Sequence, residues 1–271
     1  MNIKNKILLS LSRNILARNK IFKNNHDGED CYIFGNGVSL KSMDLKKFND
    51  RISIGCGLIC LHNDIDQINL RYCLELHPFF YYPFWLNPYK GIWEKNVLGN
   101  LSKRMIKTHN NLIFFCNISN CFVLKGVNIY YLHHFGFKFP AFEQCELHGR
   151  FSFSSTTIQA MIGMAIYMGF KNAILVGCDY THSPMRSFHF YEKGEGIITP
   201  GRNDYNRDFF ETIADTIDIT TLTISGHGSD VLKHVKYQDY FGEHLNYREN
   251  TEIIAKKYLD ELSATGLYVI Y

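Results

Sequence analysis

Short apolar runs alternate along the chain with longer segments whose apolar positions recur at helical spacing. Residues 155–169 show the clearest helical pattern, with an apolar stripe and Gly169 at the position of a C-terminal cap. The apolar runs predict buried strands at 31–34, 52–56, 72–76, 112–116, 173–177 and 220–225. Alternation of this kind predicts an α/β protein with a doubly wound, mostly parallel sheet and helices on both faces.

Weaker patterns fill the remaining stretches. A helical pattern follows from Met43, and further helices are predicted at 204–215 and 250–263, before a last strand at 267–271. Two stretches differ in character. Residues 78–93 are dense in aromatics and prolines and indicate an irregular insertion or lid. Residues 181–205 are polar and contain Gly194, Gly196 and Gly201, which indicates a flexible lid segment.

The N-terminal segment is amphipathic and basic. Residues 3–23 predict a helix, residues 24–28 break it, and residues 1–26 hold six Lys or Arg and no acid. We therefore expect residues 1–29 to be a basic helix and linker, and residues 30–271 to be one folded domain. Residues 1–23 are expected to contact the anionic inner membrane peripherally, and the alternative is an ordinary helix packed on the domain.

Charge and cysteine usage narrow the class of protein. The net charge is +3, but without the six N-terminal cations the remainder is at −3, so the body is not a polybasic nucleic-acid binder. The eight cysteines form no Cys-x-x-Cys pair and sit in apolar runs, which predicts reduced, buried thiols. No signal-peptide pattern and no apolar run near the roughly 20 residues of a membrane span are present, so the expected location is cytoplasmic.

A glycine loop after the first strand is the sharpest chemical signal. Gly35 and Gly37 would let backbone N–H groups approach a phosphate or a base, and the side chains of Asn36 and Ser39 add hydrogen-bonding groups. The loop is neither Gly-x-Gly-x-x-Gly nor a Walker loop, and the alternative is a tight turn without a ligand.

A hydroxyl cluster precedes the clearest helix. Free N–H groups and the helix dipole favour an anion there, whereas a simple cap needs only one hydroxyl. We therefore predict a phosphate contact, with the single cap as the alternative, from Ser152, Ser154, Ser155, Thr156 and Thr157.

Further candidates lie where strands end or in the lid. Asp179 and His77 follow predicted strands at the carboxyl edge, where α/β sheets carry their sites. One of His182, His189 and Tyr191 could serve as a general base or acid, although loop packing explains any single one of them. Asp64-Ile65-Asp66 matches a metal-binding Asp-x-Asp only weakly, and a solvated helix start is favoured there.

These pieces together resemble a known family. FGNGVSLK at 34–41, SIGCG at 53–57, LHP at 76–78 and the stretch 154–180 resemble the bacterial lipooligosaccharide sialyltransferases and the related core of motility accessory factors. The resemblance covers about residues 31–225. It implies an α/β transferase of modified Rossmann type with a mostly parallel sheet, a cytidine monophosphate-sugar donor and no required metal or other cofactor.

The resemblance also implies roles for particular residues. The nucleotide would be contacted by Gly35, Asn36, Gly37 and Ser39, and its ribose or base by Asp179. His77 would stand where the family has a donor-binding Asn. The phosphate or the donor sugar would be bound by Thr156 and Thr157. Two positions depart from the family. Gly57 replaces an Asn, and Pro200–Asn203 stand where the family has its catalytic His. Either the base then comes from the 181–205 segment, with His189 ahead of His182 and then Tyr191, or the base differs, or the enzyme transfers a different sugar.

The sequence thus predicts an inverting, metal-independent glycosyltransferase. It would move an acidic sugar from the nucleotide to a surface glycan or glycolipid acceptor, without a nucleic-acid partner, and a homo-oligomer is left open. Two rivals stay open. One is a pterin diphosphokinase-like phosphoryl transferase, whose opening loop is similar, and the other is a nucleotide-binding protein without catalysis.

Overall fold

The computed structural model describes residues 3–82, 96–134, 145–151, 156–199 and 204–271. The chain divides into two compact units. The first comprises residues 1–29 and 71–171, and the second comprises residues 30–70 and 172–271. The predicted division at residue 30 falls at a change of unit, and the assignment of residues 30–271 to one domain stays a prediction.

The second unit is built on five parallel strands. They are β1 (Asp30–Phe34), β2 (Ile52–Cys56), β6 (Asn172–Val176), β9 (Asp218–Thr223) and β10 (Lys233–Lys236). Their order is β10-β9-β6-β1-β2, and the inner strands are almost entirely buried, as continuous apolar runs require. The unit also holds α4 (Asp204–Ile213), α5 (Tyr237–Phe241), α6 (Asn250–Ile253), α7 (Lys256–Ser263) and an antiparallel ribbon of β7 (Met185–Arg186) and β8 (Ile198–Thr199).

The first unit holds three parallel strands and three helices. They are β3 (Leu70–Glu75, from its second residue onward), β4 (Ile113–Asn117), β5 (Ile129–Leu132), α1 (Ile3–Ala17), α2 (Val97–Thr108) and α3 (Thr157–Met168). Helix α3 ends at Gly169, whose φ of +90° suits glycine and whose N–H bonds the carbonyls of Ala165 and Ile166. The predicted α/β class with a mostly parallel sheet is confirmed.

The N-terminal segment packs against other residues of the first unit. Helix α1 continues into a 3₁₀ turn at Arg18–Phe22, close to the predicted helix over 3–23. Leu16 and Phe22 are buried, and the amide of Asn19 donates to the carbonyls of Tyr131 and Leu147 at 2.7 and 2.6 Å. In the part of the chain that the structure describes, no helix is long and apolar enough to cross a membrane.

Several local predictions are wrong. No strand forms at 267–271, because the Val269 and Ile270 carbonyls accept from Lys193 N and the Asn250 side chain. The helix over 250–263 is broken into α6 and α7 where Ile254 turns extended and bridges to His62. The pattern after Met43 gives only a 3₁₀ turn at Leu45–Lys47.

Several elements were missed, and one segment differs in character. Helices α2 and α5 and strands β5, β7, β8 and β10 were not predicted from the sequence. The 181–205 segment, predicted as flexible, packs closely at Phe190 and Tyr191, which are 0% and 3% exposed. Residues 83–93 of the predicted insertion lie outside the described residues. All eight cysteines are free and seven are buried, as predicted.

Candidate functional site

The centre of the site is the carboxyl end of β1 and β6. Phe34 pairs with Val176 in register, so the loop after β1 and the loop after β6 leave the sheet at the same level. Strand β2 lies on one side of β1, while β6, β9 and β10 follow on the other. In open α/β sheets such a reversal of strand order opens a crevice where ligands bind.

The glycines of the first loop are required by the protein itself. A Cβ on Gly35 would lie 2.4 Å from the Gly177 carbonyl oxygen, and a Cβ on Gly37 would lie 2.5 Å from Asp179 Oδ2. The N–H groups of Gly35 and Gly37 donate to the carbonyls of Val176 and Gly177 at 2.9 and 2.7 Å. These two N–H groups therefore join the loop to the end of β6 and the residue after it, and contact of Gly35 and Gly37 with a nucleotide stays a prediction.

Asp179 is held by the same loop. Its Oδ2 accepts from the Ser39 N–H at 2.8 Å, and its side chain is buried. Its other oxygen, Oδ1, is buried without a hydrogen-bond partner among the described residues, as are Ser39 Oγ and Asn36 Oδ1. Buried polar atoms are normally paired, so these three atoms are candidates for contact with a ligand.

Gly57 lies against this group. Its φ of +52° favours glycine, and a Cβ there would lie 3.2 Å from Asn36 Nδ2. A side chain at this position would therefore crowd the Asn36 amide.

His182 adds a neutral imidazole beside Asp179. The backbone N–H of His182 donates to the Asp179 carbonyl at 3.2 Å. In the side chain, Nε2 is buried without a partner among the described residues. Burial lowers the pKa of His182, although the Asp179 carboxylate raises it in part. A neutral ring offers one donor and one acceptor to a neighbouring group.

His189 forms a pair with Glu192. Its Nδ1 lies 2.8 Å from Glu192 Oε2, which also accepts from the His189 N–H at 2.8 Å. Burial raises the pKa of Glu192, but the hydrogen bonds from His189 outweigh this and lower the pKa. A carboxylate on Nδ1 fixes that nitrogen as the donor and leaves Nε2 as an acceptor.

Two tyrosines fix the plane of the His189 ring. Tyr191 stacks on it with centroids 4.8 Å apart and an interplanar angle of 5°, and Tyr268 meets it edge-on at 5.9 Å. Burial raises the pKa of Tyr191 well above its ordinary value, so its hydroxyl stays protonated at neutral pH. Tyr191 therefore positions the imidazole and is a poor candidate for a base.

The His189 segment is attached directly to the glycine loop. His189 forms an isolated antiparallel bridge with Gly37, and the Phe190 N–H donates to the Asn36 carbonyl at 2.9 Å. The structure therefore brings together Gly35, Asn36, Gly37, Ser39, Asp179, His182, His189 and Tyr191, which we call the edge site.

A buried lysine holds the segment that follows His189. Lys41 Nζ is fully buried and donates to the carbonyls of Glu192 and Gly194, both at 2.8 Å. It also contacts Tyr247 Oη at 3.3 Å and pairs with Glu249. One ammonium thus ties the end of the His189 segment to the C-terminal part of the chain.

The remaining predicted residues belong to the first unit. Thr156 Oγ1 accepts from the Gln159 N–H at 3.2 Å and caps α3, as expected if this residue served only as a helix cap. Thr157 is half-buried in the first turn of the helix. His77 pairs through Nδ1 with Glu75, whose charge raises the pKa of His77. Contacts of His77, Thr156 and Thr157 with a donor stay predictions, and Ser152, Ser154 and Ser155 lie outside the described residues.

The weak Asp-x-Asp pattern is used locally. Asp64 Oδ2 accepts from Arg248 Nη1 at 2.8 Å, and Asp66 is the exposed middle residue of a 3₁₀ turn at Ile65–Gln67. Among the described residues, no group of three or more His, Cys, Asp and Glu side chains is arranged to hold a metal ion.

Comparison with known proteins gives matches only among solved structures. Neither the protein-family models nor the curated proteins contain a match. The structural neighbours are sialyltransferases, the proteins that the sequence motifs resemble. Sialyltransferase CST-II in complex with a trisaccharide acceptor and CMP has 14% identity and a TM-score of 0.46, covering 87% of this chain and 99% of its own. An apo α-2,3-sialyltransferase from Campylobacter jejuni has 14% identity and a TM-score of 0.43, and the match covers 88% of this chain and 95% of that protein.

Sequence reasoning missed the residues that support the edge site. Glu192 lies three positions after His189, a spacing at which a carboxylate can reach back to an imidazole, and this could have been noticed. Glu249 and Tyr268 are far from the motif in sequence, and no local pattern marks them. Lys41 is the last residue of the motif FGNGVSLK, but no local pattern marks its side chain as buried.

Proposed function

We propose that this chain is a glycosyltransferase that moves an acidic sugar from a cytidine monophosphate-sugar donor to a hydroxyl of a surface glycan or glycolipid. The observation that carries the proposal is the edge site, where unpaired polar atoms of Asn36, Ser39, Asp179 and His182 lie beside the His189–Glu192 pair. The motif resemblance to sialyltransferases supplies the donor class.

The unpaired atoms favour a ligand rich in hydrogen-bond donors. Asn36 Oδ1 and Asp179 Oδ1 are pure acceptors, so they require N–H or O–H groups from the ligand. Ribose offers two hydroxyls and cytosine an exocyclic amine, whereas uracil has a carbonyl at that position. This chemistry supports a cytidine nucleotide over a uridine nucleotide.

His189 is the proposed general base. With Nδ1 engaged by Glu192, the lone pair of Nε2 can accept a proton. The acceptor hydroxyl oxygen forms a bond to the anomeric carbon, the bond between that carbon and the phosphate oxygen breaks, and the hydroxyl proton passes to His189. Cytidine monophosphate leaves with the bonding electrons, and a single displacement of this kind inverts the anomeric configuration.

Nucleotide choice is the first test. Thermal shifts are measured with cytidine monophosphate and with uridine, guanosine and adenosine nucleotides, each with and without Mg²⁺, because a ligand of the folded state raises the melting temperature. Cytidine monophosphate is expected to give the largest shift, independent of Mg²⁺. Asn36→Ala is expected to weaken that binding by about 1–3 kcal/mol, since it removes one polar partner. A larger, Mg²⁺-dependent shift with a nucleoside di- or triphosphate would favour phosphoryl transfer instead.

The base is tested by separating transfer from binding. His189→Ala is expected to abolish sugar transfer while cytidine monophosphate still binds, and Glu192→Gln to reduce transfer and move the acid limb of the pH–rate profile. The control is His244→Ala, which changes a histidine in the C-terminal part of the second unit. Binding without transfer in the unmodified protein, over a range of acidic sugar donors and acceptors, would support the non-catalytic alternative.

A further inference from the structure

Large apolar side chains are exposed on one part of the first unit. Leu11 of α1 is 77% exposed, and Phe122 and Val127, from the connection between β4 and β5, are 80% and 91% exposed. Ile7, one helical turn before Leu11, is also exposed. Single exposed apolar residues are ordinary, but several that converge mark an interaction surface.

A cavity joins the two segments that carry these side chains. It has a volume of about 420 Å³ and is lined by residues of the N-terminal segment and of the β4–β5 connection. Its lining residues are Asn14, Ile15, Arg18, Cys121, Lys125, Gly126 and Tyr131. Phe122 and Val127 directly adjoin lining residues in sequence, so they flank the cavity.

The charges of this surface have one sign. Arg18 and Lys125 line the cavity, and Arg18 also lies over the ring of Tyr130, 4.8 Å from its centroid. Residues 1–26 and 121–131 contain no Asp or Glu. Exposed apolar side chains beside cations, without any acid, complement the interface of an anionic bilayer.

We propose that this surface docks on an anionic lipid bilayer. Leu11, Phe122 and Val127 would enter the boundary between headgroups and acyl chains, and Arg18 and Lys125 would contact lipid phosphates. The proposal extends the sequence expectation for residues 1–23 by adding a second segment of the chain. It does not depend on the proposed sugar transfer.

Point substitutions in the full chain test the proposal better than a truncation. Leu16, Asn19 and Phe22 are buried, so removal of residues 1–25 would disturb the packing of the first unit. The test variants are the pair Phe122→Ser and Val127→Ser, and separately Lys125→Gln. The control is Ile198→Ser, which changes an apolar residue of the second unit that is 53% exposed.

Co-sedimentation is measured with vesicles of phosphatidylcholine alone and of phosphatidylcholine mixed with phosphatidylglycerol, at low and high salt. The unmodified protein and the Ile198→Ser control are expected to bind only the mixed vesicles and to be released by salt. The Phe122→Ser and Val127→Ser pair is expected to lower the partition coefficient about tenfold. Lys125→Gln is expected to lower it about fivefold, as loss of one interfacial charge implies.

Three results would overturn the proposal. They are equal binding by the paired variant and the unmodified protein, equal binding to neutral and mixed vesicles, and self-association abolished by the paired variant without any vesicle binding. The last result would identify a second copy of the chain as the occupant. Melting temperatures of all variants, measured in parallel, show that each one is folded.

Discussion

Removal of the charge on Glu249 is expected to loosen the hold of Lys41 on the segment that follows His189. Lys41 is fully buried, and Glu249 is the carboxylate that pairs with it, so Glu249→Gln leaves the ammonium without its counter-charge. Gly194, whose N–H lies 3.2 Å from both Glu249 oxygens, loses a charged acceptor in the same substitution.

The size of the effect follows from the pKa of Glu249. Burial raises this pKa, but the contacts with Lys41, the Asn250 N–H and Tyr247 outweigh burial and lower it from 4.5 to about 2. At about 1.4 kcal/mol per pH unit, that interval bounds the contribution at roughly 3 kcal/mol. Because 31% of the Glu249 side chain is exposed, solvent screening reduces the expected loss to about 1–2 kcal/mol.

The pH dependence has a definite sign. A carboxyl whose pKa is lower in the folded state stabilises the fold above its unfolded pKa of 4.5, and this stabilisation is lost as the pH falls toward about 2. Glu249→Gln should therefore be less stable than the unmodified protein at pH 7, and the difference should close across this acid range.

Urea unfolding at several pH values between 7 and 2.5 measures both quantities. Tyr247→Phe is the matched control, because it removes one hydrogen bond from the same carboxylate without changing any charge at neutral pH. Its cost should be about 1 kcal/mol at pH 7. Because the Tyr247 hydrogen bond also lowers the pKa of Glu249, this cost should shrink in acid too, but by less than the difference for Glu249→Gln. Equal stability of Glu249→Gln and the unmodified protein at pH 7, or a difference that persists unchanged at pH 2.5, would refute the reasoning.

Two further predictions concern close packing. Gly37→Ala should destabilise the protein by about 1–3 kcal/mol and weaken nucleotide binding, because its Cβ would lie within 2.6 Å of the Asp179 carboxylate and of the Gly177 carbonyl oxygen. The control is Gly149→Ala, where the nearest atom to the new Cβ is 3.3 Å away, and it should change neither the melting temperature nor nucleotide binding. Asn19→Ala should cost about 2–4 kcal/mol in urea unfolding, since it leaves two buried carbonyls unpaired, and a loss below half a kcal/mol would contradict that account.

The sequence by itself determined the strands that are buried on both sides and the residues at their carboxyl ends. Apolar runs such as Cys31–Phe34 and Ala173–Val176 have no stable alternative to burial, so their type and position follow from local composition. The candidates Asn36 and Asp179 were found for the same reason, because each follows such a run. His189 was found from its place in the segment that leaves this edge just after Asp179.

Only the tertiary structure decided what those residues do to one another. The glycines of the first loop suggested a ligand approach, but the end of strand β6 and the loop after it supply the groups that Gly35 and Gly37 contact. Lysine side chains are usually exposed, but Lys41 is buried because it pairs with Glu249, which lies near the other end of the chain. Hydrophobic periodicity reports whether a residue is buried, whereas the partner of a polar group depends on which distant segment the fold brings to it.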